Sequence, residues 1–120
     1  MKTIICDIDG TLTKYMGGGH KAIMDQDHEI LPGVIDHIRH WERQGHRIIL
    51  ITGRRESVRE RTESELRRLG IPFDILLMGY ADNGRILIND KGSRGNVKAH
   101  AVVLERDKGW NSIDWESVGL

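Results

Sequence analysis

The stretch Asp7-Ile8-Asp9-Gly10-Thr11-Leu12-Thr13 decides how this chain is read. It follows an apolar run, Thr3-Ile4-Ile5-Cys6. Side chains alternate along a strand, so Asp7 and Asp9 share one face. Gly10 turns the chain directly after them, which places both carboxylates at the strand's C-terminal edge. Open α/β sheets take their ligands at that edge. A bare pair of turn acids carries little. The signal is the context: a buried-type strand, two acids one residue apart, a glycine turn and a hydroxyl.

Outward from this stretch, residues 2–8 form the expected first strand. Residues 10–31 read as an irregular insertion, with Gly17-Gly18-Gly19 and the polar group Asp25-Gln26-Asp27-His28-Glu29. Its expected form is a flap over the strand edge, with at most a small hairpin. Pro32 opens a helix whose face carries Val34, Ile35, Ile38 and Trp41, and Gly45 ends it. His46-Arg47-Ile48-Ile49-Leu50-Ile51-Thr52 is a second strand of the kind that parallel sheets bury. A charged helix over 55–69 follows, with Val58, Thr62, Leu66 and Leu69 inward. Its outer pairs are expected to be Arg59–Glu63, Arg61–Glu65 and Glu63–Arg67. Further strands are expected over 73–78, 85–89 and 98–104, and a tail over 105–120. The alternation predicts a single α/β domain over residues 1–120: a three-layer Rossmann-like fold with a mostly parallel sheet of about five strands. Only two good helices are available for such a sheet, so the tail with Trp110, Ile113 and Trp115, or another subunit, is expected to cover it.

Composition narrows the class. Lys plus Arg number 18 and Asp plus Glu number 18, so the formal net charge is zero. This balance argues against a general nucleic-acid or membrane partner. No apolar run approaches the ~20 residues of a bilayer span. Cys6 is the one cysteine and reads as a small buried residue. The expected setting is cytoplasmic, with the first strand entered directly and no leader.

Chemistry follows from the order of residues at strand ends. Asp7 and Asp9 end the first strand, Thr52 the second and Asp90 the fourth. Parallel strands bring all four to one edge. Acids gathered there repel unless a cation holds them. Oxygen ligands without thiolate or a clear histidine pair favour Mg²⁺, which takes one or two carboxylates, waters and a phosphate oxygen. Gly17-Gly18-Gly19-His20-Lys21 lacks phosphate-loop spacing. His20, Asp25, Asp27 and His28 read as a solvated loop.

These motifs resemble those of haloacid dehalogenase superfamily phosphatases of the small capless type. Asp7-Ile8-Asp9-Gly10-Thr11 resembles the first motif, D-x-D-x-T. Ile51-Thr52-Gly53-Arg54 resembles the second, and Ile88-Asn89-Asp90 the acidic fourth. The resemblance implies that Asp7 is a nucleophile, that Asp9 is the acid and base, and that Thr52 binds the phosphoryl group. It implies Mg²⁺ on Asp7, the Asp9 carbonyl and Asp90. Gly10, Thr11, Gly53 and Arg54 are the expected substrate contacts. The third-motif lysine is missing, since no lysine stands between Lys21 and Lys91. Arg85 is the first substitute and Lys91 the second. The implied activity is hydrolysis of a phosphate monoester, a sugar phosphate or related small metabolite, through an aspartyl-phosphate. The alternatives are a polynucleotide or nucleotide phosphatase and a non-catalytic phosphate-binding regulatory domain. The resemblance also implies no cap domain, and a homo-oligomer (dimer or tetramer) whose neighbouring subunit closes the site.

Overall fold

The opening apolar run forms strand β1, Thr3–Asp7, in the computed structural model of the chain, which describes residues 1–81 and 83–120. The helices α1, Gly19–Asp25, and α2, Val34–Arg43, come next. Strand β2 is Arg47–Ile51. A 3-10 turn, Glu56–Val58, leads into α3, Arg59–Leu69. Strand β3 is Ile75–Leu77, and a 3-10 turn, Trp115–Val118, lies near the end of the chain.

The sheet is parallel, ordered β1-β2-β3. Its register pairs Cys6 with Leu50 and Leu50 with Leu76, all three buried. With Ile8, Ile48, Val34, Ile38, Trp41, Val58 and Leu66 they form the core. Successive right-handed crossovers in the order 1-2-3 put both connecting helices on one face. The other face shows it: Ile5 and Ile75, level with Ile49, are 53% and 48% exposed. The result is two layers, not the expected three.

The sheet also falls short of about five strands. No ladder forms over the expected strands 85–89 and 98–104. From 83 to 103 no residue is buried, and Ile86, Ile88 and Val103 are about nine-tenths exposed. The physical reason lies at the base of the segment. Arg85 is bound at Asp7, the C-terminal end of β1. The residues after it are exposed and form no ladder with the edge of β1. A turn closed by Gly92 N–H on the Asn96 carbonyl sends the chain back. The principal-axis extents, this exposed arm included, are 50 × 26 × 25 Å.

The chain after the arm docks firmly. Asp107 donates its N–H to the Gly10 carbonyl, and its carboxylate accepts from Tyr15 N–H at 2.7 Å. Arg106 lies over the Tyr15 ring at 4.3 Å. Trp110 is buried, stacked on Trp41 at 5.3 Å, and Trp115 packs edge-on to Trp41 at 4.9 Å. Trp110 Nε1 donates to the Thr11 carbonyl at 3.0 Å. The tail thus braces α2 and the D-x-D turn, and does not cover the open sheet face.

The 10–31 insertion is more ordered than a flap. Residues 19–25 make a helix because Ala22 is buried and Ile23 packs against the core. Thr13 and Ile30 form an antiparallel bridge at the insertion's base.

Candidate active site

The site begins with a turn. Thr11, Leu12 and Thr13 all direct their N–H groups to the Ile8 carbonyl. Gly10 has φ 84°, and a side chain there would press on Arg106. Glycine is the residue that takes this conformation without strain. The turn ends β1 abruptly and leaves Asp7 and Asp9 half-buried at the rim of a crevice of about 390 Å³. Tyr15, His20, Thr52 and Arg55 also line it. That size suits a small ligand.

Asp7 accepts from Thr11 Oγ1 at 3.2 Å and from Arg85 Nη1 at 3.0 Å. Burial pushes its carboxyl above the ordinary value, and the bonds from Arg85, Ile8 and Thr11 offset only part of that. Asp9 is gripped from the other side. Arg54 Nε and Nη2 reach its two oxygens at 3.0 and 2.7 Å, a bidentate fork. Arg54 is itself buried. Burial works against its cation, but the hydrogen bond and charge of Asp9 and the charge of Glu65 outweigh it and hold the guanidinium above its ordinary value.

Behind Arg54 stands a pair that the sequence reading missed. Glu65 faces inward, with Oε1 3.4 Å from Arg54 and Oε2 2.6 Å from His28 Nδ1. Thr62 Oγ1 accepts from Arg54 Nη1 at 3.1 Å. His28, Glu65, Arg54 and Asp9 thus form one continuous chain of contacts. Arg61, the expected partner of Glu65, instead binds Asp27 at 3.0 Å. The signal was in the spacing: Val58, Thr62, Glu65, Leu66 and Leu69 share one helical face. A carboxylate on that face needs buried partners.

The other expected residues fall as follows. Thr52 is buried at the end of β2, and its hydroxyl accepts from Arg54 N–H at 3.1 Å. Gly53 and Arg54 line the crevice with it. Gly10 and Thr11 support Asp7 from the turn. Of the two cations expected at the site, Arg85 reaches it, but from the base of the arm. Lys91 is exposed near the arm's tip. Asp90 is not with the other acids: it is 79% exposed and paired with Lys98 at 2.7 Å. Among the described residues no group of three acids, histidines or cysteines gathers. Cys6 is buried, and burial pushes its thiol up, which leaves it inert. His28 is buried on Glu65, not in a solvated loop.

The carboxylates of Asp7 and Asp9 are the anionic donors at the crevice, with His20 on its lining. Two carboxylates are compatible with Mg²⁺, which commonly takes one or two. The residues present fit that ion to this extent, provided Arg85 yields Asp7.

Residues 4–102 match the profile of the LNS2 domain of PITM 1-3. The chain belongs to that LNS2 domain family. Among curated relatives, the human and mouse membrane-associated phosphatidylinositol transfer protein 3 are 32% identical over 72 residues, 60% of this chain. Protein retinal degeneration B of Drosophila melanogaster is 30% identical over 79 residues, 66% of this chain. The chain spans only 7% of the first of these relatives and 6% of the last. A chain of the Pnkp1/Rnl/Hen1 complex superposes with a TM-score of 0.58 at 32% identity, covering 71% of this LNS2-family chain and 30% of its own. A structural-genomics protein from Vibrio cholerae shares the fold at TM-score 0.55 and 21% identity, over 74% of this chain and 80% of its own. No helix of the described residues is long and apolar enough to cross a membrane.

Proposed function

We propose that the chain is a Mg²⁺-dependent phosphatase of the haloacid dehalogenase type, hydrolysing a small phosphate monoester. One observation carries the reading: Asp7 and Asp9 open into the same crevice as Thr52, with Asp9 held in a buried bidentate fork by Arg54. Phosphoryl transfer asks for little beyond such positioning and charge neutralisation. Mg²⁺, held by Asp7 and the Asp9 carbonyl, would supply charge neutralisation on the phosphoryl oxygens.

The chain's own residues do the rest. An Asp7 carboxylate oxygen attacks phosphorus, and the bond from phosphorus to the ester oxygen breaks. Asp9, with one oxygen released from the Arg54 fork and protonated, gives that proton to the departing alkoxide. Water then attacks the aspartyl-phosphate, Asp9 takes the water's proton, and phosphate leaves with Asp7 restored. Thr52, whose oxygen already accepts from Arg54 N–H, keeps its own hydrogen for a phosphoryl oxygen. Arg54 fixes the orientation of Asp9. Arg85 supplies positive charge beside the nucleophile, the role of the missing lysine.

The test is phosphate release from an aryl phosphate and a panel of sugar phosphates, with Mg²⁺ and with EDTA. The expected result is turnover that EDTA removes and that Asp7→Asn lowers by about 10³-fold or more. Full activity in Asp7→Asn would reject the reading.

A second reading has its own support. The Arg85–Asp7 pair occupies the nucleophile, and curated relatives are named as phosphatidylinositol transfer proteins. Under that reading the crevice binds a phosphate group without turnover. Inorganic phosphate would then bind wild type and Asp7→Asn alike, and no ester would be hydrolysed.

A further inference from the structure

Glu65 is a costly residue where it stands. It lies on α3 beside Leu66, and its side chain and those of its partners His28 and Arg54 are all but closed to solvent. Exchanging a buried ion pair for apolar residues of like volume is often neutral or stabilising. A packed helix face is therefore served as well by an apolar side chain, and stability alone does not account for a carboxylate there.

The contacts differ in length along the row. Arg54 gives its short bonds to Asp9, from Nε to Oδ2 at 3.0 Å and from Nη2 to Oδ1 at 2.7 Å. Toward Glu65 it is only loosely engaged: Nη1 and Nη2 each stand 3.4 Å from Oε1. The other oxygen of Glu65, Oε2, is held at 2.6 Å by His28 Nδ1. An ionised carboxylate only accepts, so Nδ1 carries the hydrogen of that bond. The chain around His28 is itself tied to α3. Arg68 Nη2 donates to the His28 carbonyl at 3.4 Å, and Arg61 Nη2 donates to the Gln26 carbonyl at 2.9 Å. Glu65 is thus fastened at the back and slack at the front.

Arginine stays protonated in proteins, so a row interrupted by Arg54 cannot conduct a proton from His28 to Asp9. What it can pass on is position. Proton transfer by Asp9 needs one of its oxygens to leave the Arg54 fork. A buried guanidinium that loses a short charge-assisted bond needs another acceptor. Nη2 is the group shared between the two carboxylates, and Glu65 Oε1 is within reach of it. Oδ1 is therefore the oxygen whose release Glu65 can make good, while Nε keeps Oδ2.

We propose that Glu65, fastened by His28, is a positioning residue: it retains Arg54 while Asp9 releases one oxygen of the fork, and so keeps Asp9 aimed at the leaving oxygen. The proton of Asp9 goes to the departing alkoxide, and Arg54 and Glu65 keep their charges throughout. The catalytic consequence rests on the phosphatase reading, but the retention of Arg54 does not.

Heteronuclear NMR of the full chain tests the retention without turnover. Asp9→Ala stands for the released state. Slowly exchanging Nη–H signals of Arg54, identified by their loss in Arg54→Lys, are expected to persist in Asp9→Ala. They are expected to vanish when Glu65→Gln is added, because its single acceptor oxygen cannot serve both His28 and Arg54. Signals already lost in Asp9→Ala, or surviving in the double variant, overturn the proposal. Kinetics read the consequence. The value of kcat/KM covers the steps up to departure of the alcohol, where an alkoxide needs the proton of Asp9 and a nitrophenolate does not. Glu65→Gln is expected to lower kcat/KM for the best sugar phosphate about 10-fold further than for nitrophenyl phosphate. His28→Ala should do the same, and His28→Asn, which keeps an N–H donor for Glu65, should recover most of the difference. An equal fall for both esters marks a merely structural role and overturns the proposal. A wild type that hydrolyses neither ester rejects the phosphatase reading instead, and the NMR result still decides the retention of Arg54.

Discussion

At the scale of the residue, Asp7 carries the clearest electrostatic signature. Its carboxyl is held above the ordinary value by burial. The folded state therefore grips this proton more tightly than the unfolded chain does. Stability from that source is full below the ordinary carboxylate value and is lost as pH rises through the raised one. In metal-free protein at neutral pH, Asp7→Asn is expected to melt higher than wild type. The difference should shrink to nothing as the solution is acidified below the carboxylate range, and calorimetry across pH reads both. Arg54 has the opposite character. Its removal leaves Glu65 buried beside His28 without its cation, and breaking such a pair by one partner costs about 3–5 kcal/mol. Urea unfolding of Arg54→Ala should show that loss, with Arg54→Lys recovering part of it. Thr13 is a smaller case: its buried hydroxyl has no partner among the described residues. Thr13→Val keeps the shape and should stabilise by about 1 kcal/mol in the same unfolding experiment.

At the scale of the element, the turn after β1 is held by the far end of the chain. Trp110 fills the space against Trp41 and ties its indole to the Thr11 carbonyl. Trp110→Ala should cost about 3–5 kcal/mol and also loosen the turn that positions Asp9, so turnover should fall even where the protein remains folded. Much of this was legible in the sequence. The first two strands and both long helices follow from apolar runs and glycine stops, while the motif resemblance marked Asp7, Asp9, Thr52, Gly53 and Arg54, which line one crevice. Residues 85–89 and 98–104 have the composition of strands, but composition does not say whose edge a strand pairs with. Glu65 was assigned to a solvent face because i,i+4 charge spacing favours such pairs, whereas its register with Thr62 and Leu66 puts it inside. The short helix Gly19–Asp25 was hidden by three glycines, which are weak helix formers.

At the scale of the whole molecule, the chain is a two-layer body with a projecting arm. On the phosphatase reading Asp7 carries a phosphoryl group covalently, and on the binding reading it does not. Borohydride quenching during turnover of an aryl phosphate with Mg²⁺, followed by peptide mass analysis, separates these directly. The expected result is reduction of the side chain at position 7 to homoserine in wild type, and none in Asp7→Asn. Sustained turnover with position 7 unreduced would contradict the assignment of Asp7 as the attacking group.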